Sequence, residues 1–272
     1  MTLLSEEKFG VIAYDVLIPC APKDYAKLPY CIKSLENLIP APQNIFVISK
    51  DQVRIKSNIC FVEWIDEYEA LPILISDINY RRPNWIYQQI LKMTQEWTVN
   101  DFYLCVDSDL IINRPLELFE PPDQFGVNIP RFLISSQKQN HRPYFDFMEK
   151  VFNLTKQVDH SFISDITMFH KEILKRIIPE GLTSRSEWLL AACNEYLSDD
   201  CLIGEPEIYG NWIYKNFREA YTTYPIQVAM YGKYLRNRYI SGPDLYTNKE
   251  IEAIIEKEKN SSNDIVAVHS WT

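Results

Sequence analysis

The 272-residue chain carries 37 acidic against 28 basic side chains, a formal net charge of −9 that argues against a general nucleic-acid binder. Hydrophobic residues make up 46% and aromatic residues 13%, well away from disordered composition, and the length suffices for one large domain with a sizeable core. No apolar run approaches the roughly 20 residues of a spanning helix, and MTLLSEEKFG lacks the apolar stretch of a secretory leader, so the chain reads as cytoplasmic with peripheral membrane contact left open.

The first half alternates strand-like and helix-like segments. Gly10–Cys20 (GVIAYDVLIPC) suits a buried strand that ends at Pro19. Asp24–Leu38 has apolar residues at Leu28, Ile32, Leu35 and Leu38, which is helical spacing. Asn44–Lys50 and Asn58–Trp64 read as strands. Asn84–Trp97 places Trp85, Ile86, Ile90, Met93 and Trp97 on one helical face, and Asp101–Asp107 is the next strand. This β-α-β-β-α-β order predicts an α/β sheet with helices on its faces.

The second half is less regular. FGVNIP and Phe162–Phe169 read as strands, Ser186–Tyr196 and Asn248–Lys259 as helices, and Asp264–Trp271 as a short apolar strand. No repeat or low-complexity tract interrupts the chain. It reads as a single domain, with residues 1–125 forming a nucleotide-binding half and residues 126–272 an acceptor half and tail. The six cysteines show no CxxC pairing and several sit in apolar runs, as small buried hydrophobes of a reducing compartment do.

One stretch does not fit a plain strand. In FYLCVDSDLII the carboxylates Asp107 and Asp109 interrupt an apolar run, and an unpaired buried charge is costly. Strand alternation would point both the same way, and a bend after Asp107 could still converge them at the carboxyl end of the sheet, where open α/β sheets bind ligands. Either they are solvated in a turn, or they hold a hard divalent cation together with substrate phosphates.

The arrangement of YLCVDSDLII resembles the DxD motif of GT-A type nucleotide-sugar-dependent glycosyltransferases. DVLIPCAPKD is similar to the first strand and donor-binding turn of that fold, with Pro19 and Ala21 at the turn. YRRPNWIYQQILKM resembles the R-x-G-W-x-x-Q-Q-x-x-K-L stretch of a poorly characterised GT-A subfamily, matching at Arg82, Trp85, Gln88 and Gln89. It departs at Asn84, where the pattern has glycine. GEPEIYGNWIY is similar to that subfamily's S-E-Y-E-x-Y-G-N.

The resemblance implies a GT-A, Rossmann-like mixed sheet flanked by helices, with a helical or irregular C-terminal acceptor part. It implies a glycosyltransferase, of the hexosyltransferase type, moving a sugar from a nucleoside-diphosphate sugar, commonly a UDP-sugar, to a glycan or other hydroxyl acceptor, with Mn²⁺ or Mg²⁺ as cofactor. Asp109 would be the chief metal ligand, Asp107 would reach metal or ribose, and His269 in VAVHSW would be a late third ligand. Pro19, Ala21, Arg82, Gln88, Gln89, Asp107 and Ser108 would line the donor site. One of the two glutamines is expected to face water.

An inverting enzyme also needs a carboxylate within reach of the acceptor proton. Glu205, Glu207 and Asp165 are the candidates, with Glu205 preferred; in an extended segment both glutamates would share one side. A retaining route is equally open. The basic, tyrosine-rich KYLRNRYISG (Lys233, Arg236 and Arg238) could meet a diphosphate or an anionic acceptor, or be a solvated loop. A haloacid-dehalogenase-like phosphatase also uses D-x-D, but after its first strand and with threonine or valine where Ile111 stands. A non-catalytic carbohydrate-binding module would explain the aromatics but not the carboxylate pair.

Overall fold

A computed structural model of the protein describes residues 12–121, 128–135, 138–178, 181, 183–232 and 246–269. In chain order the elements are β1 (Tyr14–Pro19), α1 (Leu28–Ser34), β2 (Leu38–Ile39), β3 (Asn44–Ser49), β4 (Phe61–Asp66), α2 (Glu67–Ala70), α3 (Pro83–Thr94), β5 (Phe102–Val106), β6 (Leu110–Ile112) and β7 (Leu116–Glu117). There follow β8 (Arg131–Ser135), α4 (Arg142–Phe152), β9 (Ile166–His170), α5 (Lys171–Ile177), α6 (Arg185–Tyr196), α7 (Glu205–Asn216), β10 (Thr222–Ile226), β11 (Val228–Gly232), α8 (Asn248–Glu258) and β12 (Ile265–His269).

The main sheet has the order β4-β3-β1-β5-β9. Its first four strands are parallel, and β9 joins β5 antiparallel, Val106 opposite Ile166. Both faces are covered, as a parallel sheet requires. Along β1, Val16 and Ile18 pack with Leu28, Cys31 and Ile32 of α1, while Leu17 packs with Ile86 and Ile90 of α3 on the other side. The period of two repeats in β5, where Leu104 and Val106 join the α1 face and Tyr103 and Cys105 the α3 face. Helices α4 to α7 complete the α3 side with Phe147, Leu174, Leu189 and Tyr209.

The helix starts follow local chemistry. Prolines stand in the first turn of α1, α3, α4 and α7, where a missing N–H costs nothing. Ser184 with Glu187, and Thr247 with Glu250, form capping boxes on α6 and α8.

Several expectations change. The helix expected over Asp24–Leu38 is broken into a 3-10 turn at Pro22–Asp24, α1, a second 3-10 turn at Leu35–Asn37, and the start of β2. The strand expected over Phe162–Phe169 begins only at Ile166, because Asp165 takes a left-handed backbone, φ 58°. The second half is less irregular than expected: β9 completes the main sheet, β10 pairs with β8, and β12 pairs with both β11 and β6. The first half of FGVNIP and the whole of KYLRNRYISG lie outside the described residues, and residues 128–130 form no strand beyond an isolated bridge of Pro130 to Phe119.

Candidate functional site

The strand order places the site. The chain runs outward from β1 through β3 to β4, then returns to place β5 on the other side of β1, so β1 and β5 flank a topological switch point. Crevices at the carboxyl ends of such strands are where open α/β sheets take ligands. Pro19 ends β1 and half-buried Ala21 follows it; Asp107, Ser108 and Asp109 follow β5. Because β9 is antiparallel, its beginning lies at this same edge, and the Asp107 N–H donates to the Asp165 carbonyl at 3.2 Å. Strand β12 runs antiparallel to β6 and delivers His269 to the same place, with the Val268 N–H on the Asp109 carbonyl at 2.9 Å.

Residues 107–109 form a turn, not a continued strand, and the two carboxylates part company. Asp109 accepts a hydrogen bond from His269 Nδ1 at 3.1 Å, and His269 Nε2 stands 3.9 Å from Asp165 Oδ2. Burial opposes charge on both Asp109 and His269, but their mutual attraction wins: the Asp109 carboxyl is held below its ordinary value and the His269 imidazole above its own. Lys27 and Lys23 add to the effect on Asp109. Ser108 is buried between them, its hydroxyl relieving the Cys20 thiol that burial pushes up to about 12.

Asp107 turns to the other side and meets Lys92 of α3. The Lys92 Nζ lies 2.8 Å from Asp107 Oδ1 and 2.9 Å from Glu205 Oε1, a buried cation between two carboxylates. This lysine is a site residue that lies within the YRRPNWIYQQILKM stretch but outside the residues expected to line the site. The signal was there: Trp85, Gln89 and Lys92 are spaced by four and three, one face of a helix.

The three line a cavity of about 130 Å³ with Asp107, Tyr144, Asp165, Gly204 and Glu205. Gln88 is half-buried and not among its lining residues. Arg82 is exposed, its guanidinium 4.9 Å from the centre of the Trp85 ring. Asp165 faces the cavity with its carboxyl raised to about 6, first by burial and then by Asp107, against the pull of His269.

The GEPEIYGN stretch is the start of α7, not an extended segment, so Glu205 and Glu207 do not share one side. Glu205 reaches Lys92. Glu207 is wholly buried, accepts from Ser161 Oγ at 3.1 Å, Phe162 N at 2.9 Å and Asn211 Nδ2 at 3.1 Å, and is absent from the cavity wall. Its role is therefore to fix the segment that leads to Asp165.

The neighbouring residues act on the same segment. Asn211 Oδ1 accepts from the Gln157 N–H at 2.6 Å, and the Tyr209 hydroxyl accepts from the His170 N–H at 2.8 Å. Gly210 faces the Phe162 ring so closely that a Cβ there would lie 2.3 Å from it.

The donors fit a divalent cation in kind: the carboxylates of Asp107 and Asp109 and the imidazole of His269, with the carboxylates of Asp165 and Glu205 nearby. Among the described residues no group of three or more His, Cys, Asp or Glu is gathered as a metal site.

Fold and site together define an α/β protein with an acidic crevice at the carboxyl edge of a mixed sheet. Over residues 34–264 the chain matches the family described as Family of unknown function (DUF6492), and it belongs to that family. No curated protein shows a match to it. Among the described residues no helix is long and apolar enough to cross a membrane.

Proposed function

We propose that the protein is a metal-dependent glycosyltransferase of GT-A type, moving a sugar from a nucleoside-diphosphate sugar to a hydroxyl acceptor such as a glycan. One observation carries the reading: Asp109, paired with His269, stands at the switch point of the sheet beside a cavity that Asp107 and Asp165 border with Trp85, Gln89 and Tyr144. Asp109 and His269, with Asp107, would hold Mn²⁺ or Mg²⁺, which when bound supplies charge stabilisation to a departing diphosphate.

The chain's own residues do the rest. Lys92 holds Asp107 and Glu205 in place, and its ammonium opposes the burial that raises the Glu205 carboxyl. Glu205 was the preferred proton acceptor from the sequence, but its Oε1 is engaged by Lys92. Asp165 lines the cavity, and a carboxyl near 6 is ionised at neutral pH yet basic enough to accept a hydroxyl proton, which favours it in an inverting route. Its positive φ and the Asp107 N–H on its carbonyl fix its direction.

The test is thermal stability of the purified protein with UDP, GDP and CMP, each with and without Mn²⁺, because a ligand of the native state raises stability by mass action. The expected result is a Mn²⁺-dependent rise with one nucleoside diphosphate, lost in Asp109→Ala. No rise with any of them would refute the reading. A phosphatase with Asp107 as nucleophile draws on one observation, the Lys92 cation against that carboxylate. It would instead hydrolyse p-nitrophenyl phosphate and lose that activity in Asp107→Asn.

A further inference from the structure

The cavity beside Asp165 is small and unevenly charged, and both properties bear on what it admits. An engineered apolar cavity of about 150 Å³ takes one benzene ring, so a cavity of about 130 Å³ is on the scale of one ring and no more. Its wall offers aromatic side chains in Trp85 and Tyr144 and hydrogen-bonding groups in Gln89 and Asp165, the mixture that suits a polyhydroxylated ring.

The charge is set by Lys92. Two of the three ammonium N–H bonds are committed to Asp107 and Glu205, which leaves one for a ligand hydroxyl. Asp165 and Glu205, which are not among the proposed ligands of the cation, border the cavity against that one ammonium, while the charge of Asp107 is shared between Lys92 and the cation it would help to hold. A ligand carboxylate placed there would meet like charge on two sides, across a low-dielectric space in which screening is weak, and Lys92 is already neutralised. A hydroxyl or an ammonium meets no such opposition.

We infer that the cavity selects its sugar by charge: it takes a neutral or amino-substituted pyranose ring and refuses one bearing a carboxylate, with Glu205 and Asp165 as the discriminating residues. The inference rests on the glycosyltransferase reading, because it takes the ring to arrive on a nucleoside diphosphate.

Isothermal titration calorimetry in Mn²⁺ tests it with UDP, UDP-glucose and UDP-glucuronate, and in parallel GDP, GDP-mannose and GDP-mannuronate. Within the series whose nucleotide binds, the uronate donor is expected to bind at least tenfold more weakly than its neutral counterpart. That ratio should fall several-fold towards one in Glu205→Gln and in Asp165→Asn; the second variant serves if the first does not fold. Equal affinity of neutral and acidic donors for the wild type would overturn the inference, as would a ratio unchanged in both folded variants. If neither UDP nor GDP binds, the glycosyltransferase reading itself falls and takes the inference with it.

Discussion

Replacing Lys92 by Met removes the ammonium while keeping the apolar stem, and the consequence can be worked from the contacts. Glu205 is 5% exposed and Lys92 7%, so the variant leaves a carboxylate buried without its cation. Breaking a buried pair in this way costs about 3–5 kcal/mol. Asp107 adds less, because its side chain is 32% exposed and water can replace the ammonium there.

The cost should depend on pH with a definite sign. Without Lys92 the folded-state pKa of Glu205 rises further above the unfolded value of about 4.3. The folded state then binds the extra proton, so stability is intact below that value and falls as pH rises, by up to about 1.4 kcal/mol per pH unit. Urea unfolding of Lys92→Met and wild type at pH 5, 6.5 and 8 should show a gap that widens with pH. The double variant Lys92→Met/Glu205→Gln, with no charge left to strand, should recover about 2 kcal/mol at pH 8. A gap independent of pH, or a double variant as unstable as the single one, would refute the ion-pair account.

Three other outcomes follow from the same site. In chelator-treated protein, Asp165→Asn is expected to stabilise by about 1–3 kcal/mol at pH 8 and to be neutral near pH 4. The reason is that a carboxyl raised from 3.8 to about 6 costs the folded state stability as pH rises through that window; a destabilised variant at pH 8 would refute this. Gly210→Ala should lose about 1–3 kcal/mol in denaturant unfolding, since its Cβ would meet the Phe162 ring at 2.3 Å, and the loss should shrink when Phe162 is also changed to Leu. Mn²⁺ affinity, followed by electron paramagnetic resonance, should fall about tenfold per pH unit below the raised His269 pKa, because a protonated imidazole cannot ligate. His269→Ala should bind more weakly with little pH dependence; a wild-type affinity flat from pH 6 to 8 would exclude His269 as a ligand.

The sheet was legible because its central strands are buried on both faces and short. NIFVIS and FYLCV are apolar at nearly every position, and they stand as β3 and β5. Helix α3 was legible from its repeating apolar face. The misreadings lie where a local signal competed with pattern. GEPE reads as alternation if the glutamates are weighed, but Pro206 is a helix-start signal and prevails. In FISDITMF the apolar residues suggest one strand, and the left-handed Asp165 breaks it. RPYFDFMEKVF carries the same signal, for its proline, like that of α3, opens a helix.

What no local pattern could carry is the pairing of residues far apart in the chain. Lys92 meets Glu205 across 113 residues, and Asp109 meets His269 across 160. Composition does show an excess of acids, but not which of them face each other. The D-x-D triplet is the sharpest case. Alternation makes its two aspartates equivalent, yet the turn at Ser108 sends one to an ammonium and the other to an imidazole. Asp107 therefore belongs to the wall of the cavity and Asp109 to the crevice beside it. Exchanging their roles would require the buried Ser108 to turn over, out of its place beside Cys20. The spacing in the sequence thus encodes two different environments one residue apart: α3, earlier in the chain, gives Asp107 its ammonium, and β12, arriving last, gives Asp109 its imidazole.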